Sequence, residues 1–297
     1  MSDALPDETS RTRAQLTTPL GLPGSGRLRY AAAMSLHRQG RLSPEALEVY
    51  RICSPRDAED PVRLLVARGL AQEAPSPAEP SAIAALSALV EEIDRYLAQT
   101  KGPGIGEVRA GIAAARGTAI HPQATTPSAL IAAHLPAALG PLAQTHPALA
   151  LAIAQAAPNL DWVTYDDYPL DEIGPAFAGG HAYAPIIGTA APVSATDFDL
   201  GLFLIAPHVL YRDRSHKAPE LYVPLTGPHG WRFGPGAPLL IRPAHQPVWN
   251  EPFAPHLTKV GPVPFLALYG WTRDVAEVAR VIPADDWPEL EALRIVG

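Results

Sequence analysis

Residues 211–222 read Tyr-Arg-Asp-Arg-Ser-His-Lys-Ala-Pro-Glu-Leu-Tyr, a charged and aromatic run set among short apolar segments. In an extended chain, successive side chains point to opposite faces. Arg214, His216, Ala218, Glu220 and Tyr222 then share one face, and Ser215, Lys217, Pro219 and Leu221 share the other. Pro219 makes the alternation approximate, because proline cannot donate to a strand ladder. A face carrying an imidazole, a carboxylate and a phenol is costly to bury. An unpaired buried carboxylate costs on the order of several kcal/mol unless a cation offsets it. Spacing leaves two ways to supply that cation. Glu220 pairs with Arg214 or Lys217 at the mouth of the fold, or His216 and Glu220 hold a divalent metal with a third ligand from elsewhere. His245 and His256 are the histidines available on later segments.

The surrounding sequence fits a β architecture. After about residue 180 the chain breaks into short segments rich in Val, Ile, Leu, Tyr and Trp, separated by Gly and Pro: 183–187, 198–206, 220–225, 230–233, 239–242, 256–260 and 265–271. Short strands at such spacing predict a barrel or sandwich. Before about residue 160 the period is helical. Ser43-Pro44 and Asp60-Pro61 each place a capping side chain before a proline at the first helical position. Residues 81–100 carry an apolar stripe of Ile83, Leu86, Val90, Ile93 and Leu97, with Glu91 and Arg95 spaced as an i,i+4 pair. Lys101-Gly-Pro-Gly ends that helix, and Thr126-Pro127 and His146-Pro147 open two more. The expected class is α+β: a flexible tail over 1–20, a helical region over 21–175, and a β-barrel over 176–297.

Composition narrows the function. The chain has 297 residues, a formal net charge of −7 and no basic block, which argues against nucleic acid as a partner. Its one cysteine, Cys53, permits no intramolecular disulfide, as expected of a cytoplasmic protein. The N-terminus lacks the apolar core of a signal peptide, and the longest apolar run, 147–157, is too short to cross a bilayer. Gly102-Pro-Gly-Ile-Gly106 lacks the Lys-Ser/Thr of a phosphate loop and reads as a helix-breaking turn. Asp161, Asp166, Asp167 and Asp171 read as a solvated connection between the halves.

The run from Leu200 to Asp274 resembles the cupin-type dimethylsulfoniopropionate lyases. The resemblance is carried by Tyr211, His216, Glu220, Tyr222, Leu225 and Gly227, by the preceding strand 201–207, by His256 in Pro-His-Leu-Thr, and by the closing strand 266–274. It implies a cupin β-barrel behind an α-helical N-terminal region. It also implies one divalent transition metal (Zn, Fe or Mn) on His216, Glu220 and His256. Tyr222 is the implied base that takes a proton beside the substrate carboxylate, and Tyr211 orients the substrate. Tyr269, Trp271 and Trp231 would offer aromatic faces to the sulfonium. The activity implied is that of a carbon–sulfur lyase: β-elimination to acrylate and dimethyl sulfide, or the same chemistry on a related small carboxylate.

One position departs from the family pattern. Arg214 stands where the family has a further ligand histidine, and a guanidinium cannot ligate a cation. Three outcomes stay open: a weaker three-ligand site, an Arg214 that binds the substrate carboxylate, or a non-catalytic cupin that binds or senses a small carboxylate with its metal site altered. The expected partner is a small-molecule carboxylate, with no nucleic acid and no membrane. The helical half is expected to cover one face of the barrel or to form a subunit contact, as in a homodimer.

Overall fold

The computed structural model describes residues 12, 15–18, 20–75, 81–164 and 169–296. Most of the expected tail, and Asp166 and Asp167 of the acidic connection, lie outside the described residues. The chain divides into two compact units, Met1–Glu79 and Pro80–Gly297.

The first unit is helical. It contains α1 (Ser25–Arg38), α2 (Pro44–Cys53) and α3 (Pro61–Ala67). The caps fall where the sequence places them: Ser43 accepts the Ala46 N–H at 3.1 Å and Asp60 accepts the Val62 N–H at 2.9 Å. Glu73 adds a clasp, accepting both the N–H and the hydroxyl of Ser43 at 2.7 Å. Ala33, Leu36, Val49, Tyr50, Cys53 and Leu65 form its core.

The second unit starts with α4 (Ala82–Gln99), α5 (Ile105–Ala114), α6 (Ala129–Thr145) and α7 (Pro147–Ala156). Leu86, Ile93 and Leu97 of the expected stripe are buried, joined by Leu89 and Tyr96, whereas Ile83 is 53% exposed in the first turn. Arg95 pairs with Glu92 three residues away, not with Glu91. The helix expected at Thr126-Pro127 begins at Ala129, because Ser128 supplies the cap.

The same unit carries the β-structure: β1 (His181–Gly188), β2 (Val193–Ser194), β3 (Asp199–Ile205), β4 (Leu210–Ser215), β5 (Glu220–Pro224), β6 (His229–Arg232), β7 (Leu240–Arg242), β8 (Val248–Asn250), β9 (His256–Lys259), β10 (Phe265–Trp271) and β11 (Arg280–Val281). They form a six-stranded sheet ordered β2-β1-β3-β10-β5-β8 and a five-stranded sheet ordered β11-β4-β9-β6-β7. The central strands are apolar on both faces, as strands buried on both sides must be. Leu200, Leu202, Leu221, Val223, Leu266 and Leu268 pack outward with Val108, Ala138 and Ile153 of the helices. The alternate residues Phe203, Tyr222, Phe265 and Ala267 point inward and meet Tyr211 and Trp231 from the other sheet. The result is a two-sheet β-barrel with α-helices on the outside of its larger sheet.

Residues 214–222 are not one strand. β4 belongs to the five-stranded sheet and β5 to the six-stranded sheet, and residues 216–219 cross between them. Pro219 in the crossover is the residue that breaks the ladder.

Candidate functional site

Three elements bring polar side chains to one point inside the barrel. Glu220 opens β5, His256 opens β9, and His216 lies on the crossover between β4 and β5. All three are buried. Their ligand atoms lie within 4.8 Å of one another.

The backbone fixes both imidazoles. His216 Nδ1–H donates to the Ala218 carbonyl at 2.7 Å, and His256 Nδ1–H donates to the Ala254 carbonyl at 2.9 Å. A carbonyl only accepts, so each ring carries its proton on Nδ1. The Nε2 atoms then point inward. They face the same Glu220 Oε2, at 3.1 Å from His216 and 3.4 Å from His256. Among the described residues, His256 Nε2 finds no hydrogen-bond partner. Burial, and then the charge of Arg214, push the His256 pKa down to about 4, so this ring is neutral at pH 7.

Glu220 is held from behind. Burial opposes its ionisation, but His216, hydrogen-bonded to it at 3.1 Å, keeps its carboxyl well below the usual range. Asn250 Nδ2 donates to Oε2 at 3.0 Å and Trp271 Nε1 donates to Oε1 at 2.8 Å. The Trp271 ring also stacks on His216, centroids 4.6 Å apart. Two imidazole nitrogens and one carboxylate oxygen, each braced by an outer hydrogen bond, match the donor set of a divalent transition metal. The orphaned His256 nitrogen is the atom a cation would satisfy.

Lys217 does not pair with Glu220. It turns to Asp274 at 3.0 Å and Glu277 at 3.1 Å. Arg214 is the register partner of His256 across β4 and β9. Its guanidinium lies over the Tyr211 ring, 3.3 Å from the centroid, and Nη2 donates to Tyr222 Oη at 3.4 Å. Burial and then Glu220 push the Tyr222 phenol well above 10, with Arg214 acting in the opposite direction. The protein alone therefore does not supply a lowered phenol to the base that the resemblance implies.

A cavity of about 230 Å³ lies against this cluster. Glu220, Tyr211, Tyr222, Tyr269 and Trp271 line it. Trp231 does not. It is completely buried beneath Tyr222 and Phe265, with ring centroids 5.6 and 6.0 Å away. His245 is elsewhere too: its Nδ1 meets Tyr96 Oη at 2.8 Å and its ring lies 4.4 Å from that of His146.

Several lining residues escape sequence reasoning. Phe177 is sandwiched between His181 and Tyr211, both at 3.9 Å. Tyr183, Asp199 and Phe203 come from β1 and β3, and residues 275–279 close the remaining side. Asn250 sits on β8, a three-residue strand between prolines that carries no period of its own.

Comparison with known proteins agrees with this picture. The family model of dimethylsulfoniopropionate (DMSP) lyase matches residues 106–267. A chain from the crystal structures of the DMSP lyases RdDddP and RnDddQII aligns at 18% identity and a TM-score of 0.52, covering 68% of this chain and 100% of its own. The DMSP lyase DddQ from Ruegeria pomeroyi DSS-3 aligns at 23% identity and a TM-score of 0.49, covering 66% and 95%. A cupin-like protein from Thermotoga maritima aligns at 13% identity and a TM-score of 0.33, covering 38% and 84%. No curated protein matches the sequence. The first unit, Met1–Glu79, lies outside the matched residues. Among the described residues no helix is long and apolar enough to cross a membrane. Since the family match spans more than half of the sequence and takes in most of the barrel, including all three candidate ligands, the chain belongs to the dimethylsulfoniopropionate lyase family.

Proposed function

We propose that this chain is a metal-dependent carbon–sulfur lyase that eliminates dimethyl sulfide from dimethylsulfoniopropionate, or acts likewise on a related small carboxylate. The observation that carries the reading is that two buried imidazole nitrogens, one of them without a hydrogen-bond partner among the described residues, are aimed at one carboxylate oxygen. His216, Glu220 and His256 would hold one Zn, Fe or Mn ion. Such an ion, when bound, acts as a Lewis acid on the substrate carboxylate and acidifies the adjacent C–H.

The chain's own residues do the rest. Tyr222 Oη takes the proton from the carbon beside the carboxylate. The C–H electron pair becomes the new C=C bond, the C–S bond breaks, and its electrons leave on sulfur. The sulfonium departs as a neutral thioether, so no acid is needed at the leaving group. Arg214 donates to the Tyr222 oxygen and favours the phenolate against the cost of burial. Tyr211, stacked under Arg214, fixes that guanidinium. Tyr269 and Trp271 offer π faces to the sulfonium.

The test is release of dimethyl sulfide into the headspace from metal-replete protein. The reading expects release that disappears with His216→Ala or His256→Ala. Metal-replete wild type that releases none excludes this substrate.

Arg214 favours a second reading, in which the barrel only binds or senses a small carboxylate. That reading expects purified protein with little metal and ligand binding that survives chelation.

A further inference from the structure

Asp199 opens β3 in the wall of the cavity. It pairs in register with Trp271, whose other register partner is Glu220. In-register neighbours present their side chains to the same face of a sheet, and adjacent strands lie about 4.8 Å apart. Two carboxylates therefore flank one indole on the inner face, with backbones about 10 Å apart. Tyr183, Phe203 and Tyr269 complete this wall, the two tyrosine rings meeting edge-on at 6.3 Å.

The three carboxylates that line the cavity differ in what answers their charge: Glu277 is paired with Lys217 at 3.1 Å. Glu220 has the His216 imidazole at 3.1 Å, an amide and an indole N–H. Asp199 has burial and the like charge of Asp197, which push its carboxyl up, against one Thr189 N–H that lowers it. Among the described residues that line the cavity there is no lysine or arginine, and His181 is kept neutral by burial with a pKa of about 4. A carboxylate in an aromatic box without a basic side chain is a receptor for a cation.

We infer that Asp199 is the counter-charge of this cavity and selects substrates that carry a permanent onium centre at the end opposite their carboxylate. The inference rests on the proposed reading for the position of the carboxylate end. It adds a specificity rule: an uncharged isostere is rejected because it leaves Asp199 desolvated and unpaired.

The test uses two isosteres that differ only in charge, 3-(trimethylammonio)propionate and 4,4-dimethylpentanoate, titrated into metal-replete protein. Wild type is expected to bind the onium about tenfold more tightly. Asp199→Asn removes that preference and Asp199→Glu keeps it, with thermal unfolding confirming that both variants fold. A wild type without preference, or a preference that survives Asp199→Asn, overturns the inference. Dimethyl sulfide release is measured in parallel. A protein that releases none but shows an Asp199-dependent preference keeps this inference and loses the lyase reading. A lyase whose preference survives Asp199→Asn does the reverse.

Discussion

His256 Nε2 and Glu220 Oε2 face each other across 3.4 Å inside the barrel, two electron pairs with the ring's proton committed to the Ala254 carbonyl on the far side. The contact is repulsive until a cation lies between them. Purified protein is therefore expected to carry about one divalent ion per chain, and His216→Ala, His256→Ala or Glu220→Gln to lose most of it. Binding at a hundredfold excess over Kd stabilises by about 2.7 kcal/mol, so chelation should lower the melting temperature of wild type and leave His256→Ala unmoved. Elemental analysis with paired melting curves checks both.

Tyr222→Phe is expected to keep its metal and lose about 10²–10⁴-fold in kcat, the usual contribution of a positioned base. The phenol oxygen touches the Arg214 guanidinium but belongs to no ligand set. A variant that loses metal along with activity would give Tyr222 a structural role instead.

Arg214 acts on two groups in the same direction. It lowers the Tyr222 phenol pKa and it also lowers that of His256. Activity that needs the phenolate rises with pH, and Arg214→Met is expected to move that rise to higher pH. Arg214→His, on the strand beside His256 and in register with it, is expected to tighten metal binding. A pH–rate profile and a metal titration of the two variants separate the effects.

Acid should unfold the second unit through two buried histidines that are not candidate metal ligands. His229 accepts the Gly261 N–H on Nδ1 and meets the Thr226 hydroxyl through Nε2, both at 3.1 Å, so only the neutral ring fits. Burial lowers its pKa to about 3 and that of His181 to about 4, from 6.5. Both folded values lie below the unfolded one, so the unfolded chain binds more protons across this window. Their contribution to stability is complete above pH 6.5 and is lost as pH falls toward 4 and then 3. Denaturant midpoints measured from pH 7 to 4 should fall, and His229→Gln should flatten the slope.

Gly104 caps the start of α5 with φ +78°, and a Cβ there would meet the Trp249 ring at 2.1 Å. Gly104→Ala is expected to cost about 1–3 kcal/mol from overpacking, with backbone strain in addition. Urea unfolding measures it, and an unchanged midpoint would contradict the turn as described.

The architecture could be read from the sequence because it depends on local pattern, whereas the set His216, Glu220 and His256 came from the resemblance, spacing alone leaving a salt-bridge reading of Glu220 open. Alternation on β3, β5 and β10 separates Leu202, Leu221 and Leu268 from Phe203, Tyr222 and Ala267 without any knowledge of the partner strands. Proline after Ser43 and Asp60 marks helix starts by local chemistry alone. Sheet membership depends on distant pairing. That is why the 214–222 run reads as one strand although β4 and β5 belong to different sheets. Asn250, Asp199 and residues 275–279 were not legible for the same reason: each reaches the site from a segment with no periodic or motif signal of its own. Trp231 shows the converse. A tryptophan on an inward face can fill the core as readily as it lines a cavity, and only the packing decides.

The crossover at 216–219 means that the three candidate ligands belong to neither sheet in common. Glu220 is anchored in the larger sheet, His256 in the smaller, and His216 in the chain that bridges them. An ion held by all three is a rivet through the seam of the barrel. Pulling the sheets apart by force would then require the rivet to fail first, and the loaded protein should part in a single abrupt event where the stripped one yields by degrees.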